Sequence, residues 1–282
     1  MSNSTVSAAI INFNGKHFLS GCLTSLMNQT YPLAEVIMID NGSSDGSVEF
    51  VEQKFPSVRI VRNKTNLGLT AACNIGIREA KSDLVTLISN DVVLEKTCIE
   101  QLVRAITSSE AVGIVGGNIV LFTNPEIVQS FPSRFLPSCR LPWTAIPVKT
   151  RSESTYGIRT DIIGLCVMMI KKELVERIGL INEDYFMHFN EDDFSLKANR
   201  AGYLLLLVPT ANVRHFGSAT IGRLSTRKIS SFVKGEVTYR MINLKAWEIL
   251  PSIWFAIVIQ AIQHFFMTIG VPCFLTDPKN GS

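Results

Sequence analysis

The sequence predicts an α/β fold built on a mostly parallel sheet. Over residues 6–91, short apolar runs rich in β-branched residues alternate with segments of helical spacing, which is the pattern of strand-helix-strand units. The chain has 282 residues, of which 46% are hydrophobic and 18% charged, so it can bury a large core without disulfides. These values exclude a disulfide-stabilised miniprotein and a disordered chain.

The predicted elements follow one another in a regular order. The first part contains strands at Val6–Ile11, Glu35–Ile39, Val58–Val61 and Leu84–Ile88, with helices at Leu19–Asn28, Val48–Lys54 and Leu69–Ala80. Ser43, Ser44 and Asp45 offer N-cap chemistry for the second of these helices. After an irregular, proline-containing stretch at 122–160, the second part contains strands at Asp161–Ile170 and Tyr203–Val208, a helix at Lys172–Ile178 and another ending near Ala201.

Polar residues follow three of the predicted strands. Asn12, Asp40 and Asp91 come just after the carboxyl ends of their strands. Open α/β sheets bind their ligands at this edge. We therefore expect these three side chains to share one crevice.

A second polar cluster lies in the later part of the chain. Residues 181–194 are both acidic and aromatic, and Glu191, Asp192 and Asp193 stand where a helix is predicted to begin. Acidic groups are favoured by the helix dipole at that position, which is the structural alternative. The aromatic and acidic surroundings favour a functional role instead.

Taken in order, these segments resemble the inverting glycosyltransferases of family 2, which have the GT-A fold. The resemblance covers about residues 6–245, and the order and spacing of its motifs carry it. The acidic-aromatic motif most resembles that of rhamnosyl- and galactosyltransferases that build surface polysaccharides. The matching segments are Ile10–Asn14, Cys22–Leu26 with Gln29, Ile39–Ser47, Asn66–Gly68, Asn74–Gly76, Asn90–Asp91, Gly179–Asp193, Ala201–Tyr203 and Val213–His215.

The resemblance implies a donor site for a nucleotide-diphosphate sugar of the dTDP-rhamnose or UDP-hexose type. A divalent cation, Mg²⁺ or Mn²⁺, would neutralise the diphosphate leaving group. Asp91 and His215 match the metal ligands, although the acidic metal motif is reduced here to Ser89-Asn90-Asp91, with a single carboxylate. The residues that match the donor-binding positions are Asn12, Phe13, Asn14, Asp40, Asn66, Gly68, Asn74, Asn90 and Asp91.

The resemblance also implies one carboxylate that takes the proton of the acceptor hydroxyl during an inverting displacement. The family carries a Glu-Asp pair and another Asp two residues later. An ungapped count places Asn190 and Glu191 on the pair, whereas a match by composition makes Glu191 and Asp192 the pair. The ungapped count favours Glu191 as the base, because a deletion inside a helix turns every later side chain by about 100°. Asp192 is the alternative, and Asp193 completes the motif.

The departures from the metal and base motifs leave a second hypothesis open. A protein of the same fold could bind sugar nucleotides as a scaffold without catalysis, since fold alone does not establish function. The favoured hypothesis remains a metal-dependent transferase acting on a lipid-linked or polysaccharide acceptor.

Charge and hydropathy divide the chain near residue 245. Residues 1–245 are predicted to form the catalytic domain, and residues 246–282 a hydrophobic tail, since no charged residue occurs at 249–276. Residues 197–245 carry nine basic residues and one acidic residue, Glu236. A cationic segment before an apolar one predicts association with the cytoplasmic face of a membrane, with the tail lying on the bilayer, crossing it or packing on a partner subunit. No nucleic-acid motif occurs.

Lys234, Arg240 and Asn243 lie at helical spacing just before this tail. Two roles fit this pattern. The side chains could face a phosphate group, or they could form a solvated basic face.

Overall fold

A computed structural model describes residues 4–130, 132–134, 146–147, 156–217, 226–247 and 249. The helices are α1 (Lys16–Met27), α2 (Ser47–Lys54), α3 (Leu69–Glu79), α4 (Cys98–Ile106), α5 (Lys172–Ile178), α6 (Asn190–Arg200) and α7 (Thr226–Asn243). The strands are β1 (Val6–Asn12), β2 (Glu35–Asp40), β3 (Arg59–Arg62), β4 (Leu84–Ser89), β5 (Val92–Leu94), β6 (Val112–Leu121), β7 (Asn124–Val128), β8 (Ser133–Arg134), β9 (Ile146–Pro147), β10 (Ile158–Thr160), β11 (Val167–Lys171) and β12 (Leu204–His215).

One mixed sheet organises the described residues. Its strand order is β10-β12-β6-β11-β4-β1-β2-β3, with β5 paired to β12 and β7 paired to β6. Strands β1 to β4 are parallel, as predicted, and β12 is parallel to β6. Strand β11 is antiparallel to both of its neighbours, β4 and β6. Antiparallel neighbours need no helical crossover, and the described residues between β6 and β11 contain none.

The predicted elements of the first part are confirmed to within a few residues. In the second part the sequence-based boundaries are wrong in two places. The strand predicted at Asp161–Ile170 begins only at Val167, and β12 continues past Val208 to His215 through a register shift between Val208 and Asn212. A bulge of this kind lets a strand pass a proline, here Pro209, that looks like a strand end in sequence.

Strand β6 was not predicted, because glycine is rare in strand interiors. The structure explains its glycines by close packing. A Cβ atom at Gly116 would lie 2.6 Å from the Ile163 side chain, and one at Gly113 would lie 2.4 Å from Leu174. These positions lack side chains because neighbouring residues already fill the space.

The proposed N-cap of α2 is partly corrected. The residue at the cap is Gly46, with a left-handed φ of 79°. Asp45 contributes from one position earlier, since its Oδ1 accepts the backbone N–H of Ser47 at 3.0 Å. The sequence thus identified the carboxylate that accepts a backbone N–H at the start of α2, but not that this carboxylate lies one position before the N-cap residue.

Helices cover both faces of the sheet and form its core. Leu19 and Leu23 of α1 and Leu102 of α4 pack on one face. Ile77 of α3 and Phe194 of α6 pack on the other. Helix α7 packs outside this second layer, where Tyr185, Phe189, Leu196 and Tyr239 form a separate apolar cluster. No helix in the described ranges is both long and apolar enough to cross a bilayer, and residues 250–276 of the predicted tail lie outside those ranges.

Asn74 joins α3 to the segment that leads into α6. Its side chain is fully buried, its Nδ2 donates to the Ile181 carbonyl and to Glu183 Oε1, both at 2.8 Å, and its Oδ1 accepts the Ile181 N–H at 3.1 Å. An amide that satisfies both backbone groups of a distant residue fixes the distance between two segments. Asn74 therefore sets the position of the acidic-aromatic segment against the sheet.

We expect Asn74→Ala to lower the free energy of unfolding by about 2 to 4 kcal/mol, because it leaves the buried N–H and C=O of Ile181 without partners. Urea titration measures this difference. Asn28→Ala is the control, since the side chain of Asn28 is exposed at the end of α1, and a change within about 0.5 kcal/mol is expected. Equal losses in the two variants would contradict this role of Asn74.

Candidate active site

The carboxyl ends of three parallel strands are tied together by one side chain, Asn12. Its Nδ2 donates to Asp40 Oδ1 at 2.9 Å and to the Ser43 hydroxyl at 3.2 Å, and its Oδ1 accepts from Asn90 Nδ2 at 2.8 Å. Asn12 is 0% exposed, so all of these groups are satisfied inside the protein. Asn12 thus contacts Asp40 directly, and it contacts Asn90, the residue before the predicted neighbour Asp91.

The loop after β1 lies against this cluster. Asn14 adopts a left-handed φ of 49°, and its Oδ1 accepts the Ser44 N–H at 2.9 Å. Phe13 is partly exposed beside it. A Cβ atom at Gly15 would lie 1.9 Å from Asn90 Nδ2, so only glycine lets this loop approach the β4 turn.

A neighbouring loop, residues 63–68, is organised by Asn41. The Nδ2 of Asn41 donates to Asn66 Oδ1 and to the Gly68 carbonyl, both at 3.0 Å, and its Oδ1 accepts from Asn63 Nδ2 and the Leu67 N–H, both at 3.1 Å. Gly68 has a φ of 93°, and a Cβ atom there would lie 2.7 Å from the Phe186 ring. The Asn66–Gly68 wall therefore touches the acidic-aromatic segment.

Asp91 and His215 come together although they are far apart in sequence. The Nε2 atom of His215 lies 3.3 Å from Asp91 Oδ2. The Oε1 atom of Gln129 lies 2.8 Å from His215 Nδ1, within hydrogen-bond distance, and Nε2 faces the carboxylate. Among the described residues, no group of three or more His, Cys, Asp or Glu side chains is arranged to hold a metal ion. This pair thus offers one oxygen and one nitrogen ligand.

The first turn of α6 carries the three acidic residues. It begins after Phe189, whose φ is 68°, and Asn190 is fully buried with its Nδ2 donating to Thr70 Oγ1 of α3 at 3.0 Å. Asp193 is 1% exposed, and its Oδ1 accepts from Asn243 Nδ2 at 2.7 Å. Asn190 and Asp193 therefore fix the turn from two sides.

Glu191 and Asp192 occupy the part of this turn that is not fully enclosed. Both are partly exposed, yet Glu191 Oε2 is buried and accepts no hydrogen bond from the described residues. Burial raises the pKa of Glu191. Burial also raises the pKa of Asp192, and the charges of Glu191 and Asp193 raise it further. An under-solvated carboxylate with a raised pKa is a stronger proton acceptor than an ordinary surface carboxylate.

The two candidate bases face different neighbours. Burial raises the pKa of the Cys73 thiol in α3, and the nearby charge of Glu191 raises it further. The charge of Asp192 instead contributes to raising the pKa of Tyr185, for which burial is the largest cause. Glu191 is therefore near Cys73, and Asp192 is near Tyr185, to whose raised pKa the charge of Asp193 contributes more than that of Asp192.

The inner face of α7 closes the site from outside. Arg200 donates to the Asn243 side chain at 3.0 Å and to its backbone carbonyl at 3.3 Å. Arg240 is 3% exposed and pairs with Glu236. The solvated-face alternative is therefore wrong for Arg240 and Asn243, whereas Lys234 is exposed. The packing of α7 distinguishes the two alternatives, whereas the helical spacing of the three residues is the same for both.

The predicted site residues fall into two connected groups in the structure. One group surrounds the strand ends and includes Asn12, Phe13, Asn14, Asp40, Asn90, Asp91 and His215; the other comprises Glu191, Asp192 and Asp193 on α6. Asn66, Gly68 and Asn74 lie on or next to α3, between the two groups. Sequence reasoning missed Asn41, Thr70 and Gln129, and only Asn41 had a signal, as part of the Asp-Asn-Gly turn.

The chain is similar in sequence to several glycosyltransferases. The N-acetylglucosaminyl-diphospho-decaprenol L-rhamnosyltransferase of Mycobacterium tuberculosis is 25% identical over 265 residues, covering 85% of each chain. Glycosyltransferase AglE of Haloferax volcanii is 32% identical over 126 residues, covering 43% of this chain and 41% of AglE.

Solved structures share the fold at low sequence identity. GalNAc-T7 with UDP, GalNAc and Mn²⁺ superposes with a TM-score of 0.69 at 20% identity, covering 86% of this chain and 48% of that one. The mannosyltransferase PcManGT of Pyrobaculum calidifontis with GDP-Man and Mn²⁺ gives 0.56 at 18% identity, covering 75% and 56%. The chain thus spans about half the length of these two structures.

The sequence model of one family, described as glycosyl transferase family 2, matches residues 7–179. This is more than half of the chain, and the matched segment includes the strand ends that carry Asn12, Asp40 and Asp91. The chain belongs to glycosyl transferase family 2 and is a glycosyltransferase with a GT-A-like fold.

Proposed function

We propose that this glycosyltransferase moves a sugar, with inversion, from a nucleotide-diphosphate donor to a hydroxyl group of a lipid-linked or polysaccharide acceptor. The observation that carries the proposal is that Glu191 is partly exposed on the first turn of α6 while its Oε2 is buried without a hydrogen-bond partner among the described residues. A dTDP-rhamnose donor is favoured by the similarity to the mycobacterial rhamnosyltransferase, and a UDP-hexose is the alternative.

The donor binds at the strand ends in this proposal. Asp40 Oδ1 and Oδ2 accept from Asn12 and from the Ser43 N–H, so the carboxylate is held rigidly in one orientation. A fixed carboxylate at the end of β2 and a partly exposed aromatic ring, Phe13, just after the neighbouring strand β1 suit recognition of a pyrimidine base by hydrogen bonding and stacking. The side-chain amides of three predicted donor-binding residues form hydrogen bonds within the protein. In this proposal these residues, Asn12, Asn74 and Asn90, therefore act by holding the loops in place.

The ligand set at Asp91 and His215 fits a divalent cation held jointly with the donor. Two protein ligands leave room for diphosphate oxygens and water, which is how Mg²⁺ and Mn²⁺ are commonly bound in nucleotide sites. The imidazole nitrogen favours Mn²⁺ over Mg²⁺. When bound, the cation would neutralise the charge that develops on the leaving diphosphate. Gln129 contacts Nδ1 of His215 and so orients the ring with Nε2 toward Asp91.

Glu191 is the proposed base of the single displacement. The acceptor oxygen forms a bond to the anomeric carbon as the bond from that carbon to the diphosphate oxygen breaks. The proton of the acceptor hydroxyl passes to Glu191, and the leaving group departs as the nucleoside diphosphate. The raised pKa of Glu191 increases its proton affinity, and Asn190 and Asp193 keep its turn in place.

The acceptor is proposed to be lipid-linked and met at the cytoplasmic face of a membrane. The mycobacterial relative is named for a diphospho-decaprenol substrate and aligns over 85% of this chain. We also propose that residues 1–245 form the catalytic domain and that residues 246–282 form a membrane-associating tail, on the grounds of their apolar composition.

The base assignment is tested by comparing Glu191→Gln with Asp192→Asn in a transfer assay with dTDP-L-rhamnose and UDP-hexoses. Removal of the base lowers kcat by about 10²- to 10⁴-fold with little change in the KM for donor. Asp192→Asn is expected to stay within about tenfold of the wild type, because Asp192 only modulates the local charge. Full activity of Glu191→Gln would transfer the role to Asp192.

The metal and donor site is tested by thermal unfolding with UDP, dTDP and GDP, each with and without Mn²⁺ or Mg²⁺. A ligand that binds only the native state raises Tm by mass action. We expect a cation-dependent increase with one pyrimidine nucleotide and its loss in Asp91→Asn. Asp83→Asn is the control, since it lies exposed at the opposite end of β4 and is expected to keep the increase. An unchanged increase in Asp91→Asn would contradict this site.

The raised pKa of Glu191 also predicts a pH-dependent stability effect. A carboxyl group whose pKa is higher in the folded than in the unfolded chain binds its proton more tightly in the folded state. This tighter binding stabilises the folded state at low pH, and the stabilisation is lost as pH rises through the folded pKa. Glu191→Gln is therefore expected to raise Tm near pH 7 and to have little effect near pH 4. Each 1 kcal/mol of destabilisation that the substitution removes is expected to raise Tm by about 2 to 4 °C. A lower Tm at neutral pH would show that the carboxylate is stabilised instead.

A further inference from the structure

We infer that the outer face of α7 is a docking surface for an anionic lipid bilayer. The identity of this partner rests on the lipid-linked acceptor of the proposed function, whereas the surface itself is defined by exposed side chains. Val233, Val237 and Met241 are 53%, 55% and 66% exposed and lie four residues apart on the helix. Residues at this spacing form a continuous stripe on one face.

This stripe is the main concentration of exposed apolar side chains in the described structure. Ile242 is 48% exposed beside it, and Trp247, just past the helix, is 70% exposed. Most other large hydrophobic residues are in the core, and the few exposed elsewhere, such as Met27 and Leu67, are single. A continuous exposed apolar row of this kind is typical of a surface that binds a protein or a membrane.

The charges around the stripe favour an anionic partner. Lys234 and Lys245 are exposed beside it, and the only acidic residue at positions 226–247 is Glu236. Glu236 is turned inward, where it pairs with Arg240. Lys245 Nζ lies 5.9 Å from the centre of the Trp247 ring, so an amphipathic aromatic ring and a cation stand together at the end of the helix. Lysine and tryptophan at the border of an apolar face are typical of helices that lie in the headgroup region.

Two further features favour the bilayer over a second copy of the chain. After Lys245 and Glu248, residues 249–276 have no charged residue, so an apolar segment begins six residues after the end of α7. The opposite face of α7 holds Asp193 through Asn243. A bilayer on the outer face would therefore lie about one helix diameter, roughly 10 Å, from the first turn of α6. That distance places the proposed base within reach of a sugar attached to a membrane lipid.

The test is co-sedimentation of the full-length protein with vesicles, without donor or acceptor. Vesicles of phosphatidylcholine mixed with phosphatidylglycerol are compared with vesicles of phosphatidylcholine alone. The wild type is expected to bind the anionic vesicles and to dissociate as salt is added. The double variant Val237→Asp/Met241→Asp is expected to bind at least about tenfold more weakly. Met27→Asp, which adds a charge at an exposed apolar residue on α1, is expected to bind like the wild type.

A second variant separates the charge from the apolar row. Lys234→Glu keeps the stripe intact and is expected to weaken binding to the anionic vesicles only. Since all three positions are exposed, unchanged thermal unfolding is expected and checks that each variant is folded.

Three results would overturn the inference. Wild-type binding by Val237→Asp/Met241→Asp would mean that the tail alone anchors the protein. Failure of the wild type to bind either vesicle would exclude the bilayer as the partner. A dimeric wild type with a monomeric double variant in light scattering would assign the stripe to self-association. Transfer activity is scored separately, so an inactive protein that binds vesicles refutes the proposed function and leaves the surface standing.

Discussion

The site depends on one buried amide, that of Asn12. Parallel strands β1, β2 and β4 end at the same edge of the sheet, where backbone pairing stops and the chain could diverge. Asn12 prevents this by donating to Asp40 and Ser43 while accepting from Asn90. Because each partner is itself buried or partly buried, breaking any of these bonds would leave a polar group unsatisfied away from water. The carboxylate of Asp40 and the turn that carries Asp91 are positioned by this arrangement.

Other buried asparagine side chains join separate segments by hydrogen bonds in the same way in the other half of the molecule. Asn41 holds the 63–68 loop, Asn74 holds Ile181, and Asn190 and Asn243 hold the first turn of α6. An asparagine side chain both donates and accepts, so it can satisfy backbone groups from two segments without adding a charge. Glu191 and Asp192 are the partly exposed acids of this turn and both have a raised pKa, which is the expected condition of a proton acceptor, whereas Asp193 is buried and its Oδ2, like Glu191 Oε2, has no hydrogen-bond partner among the described residues.

Helix α7 connects this interior to the surface. Its inner face carries Tyr239, Arg240 and Asn243, all buried, and its outer face carries the apolar stripe. The same helix therefore contacts the turn that bears the proposed base and presents an apolar, basic surface outward. Any partner that binds the outer face therefore lies close to the first turn of α6, which Asn243 contacts from the inner face.

The sequence by itself determined the parallel half of the sheet, the strand-end position of Asn12, Asp40 and Asp91, and the start of α6, because these follow from short-range periodicity and turn chemistry. It did not determine the glycine-containing strand β6 or the continuation of β12 past Pro209, since both depend on what packs beside them. The resemblance already paired His215 with Asp91, but only the tertiary structure placed Gln129 beside His215 and separated buried Asp193 from partly exposed Glu191. Such pairings join residues distant in sequence, and their geometry is set by packing that no local pattern encodes.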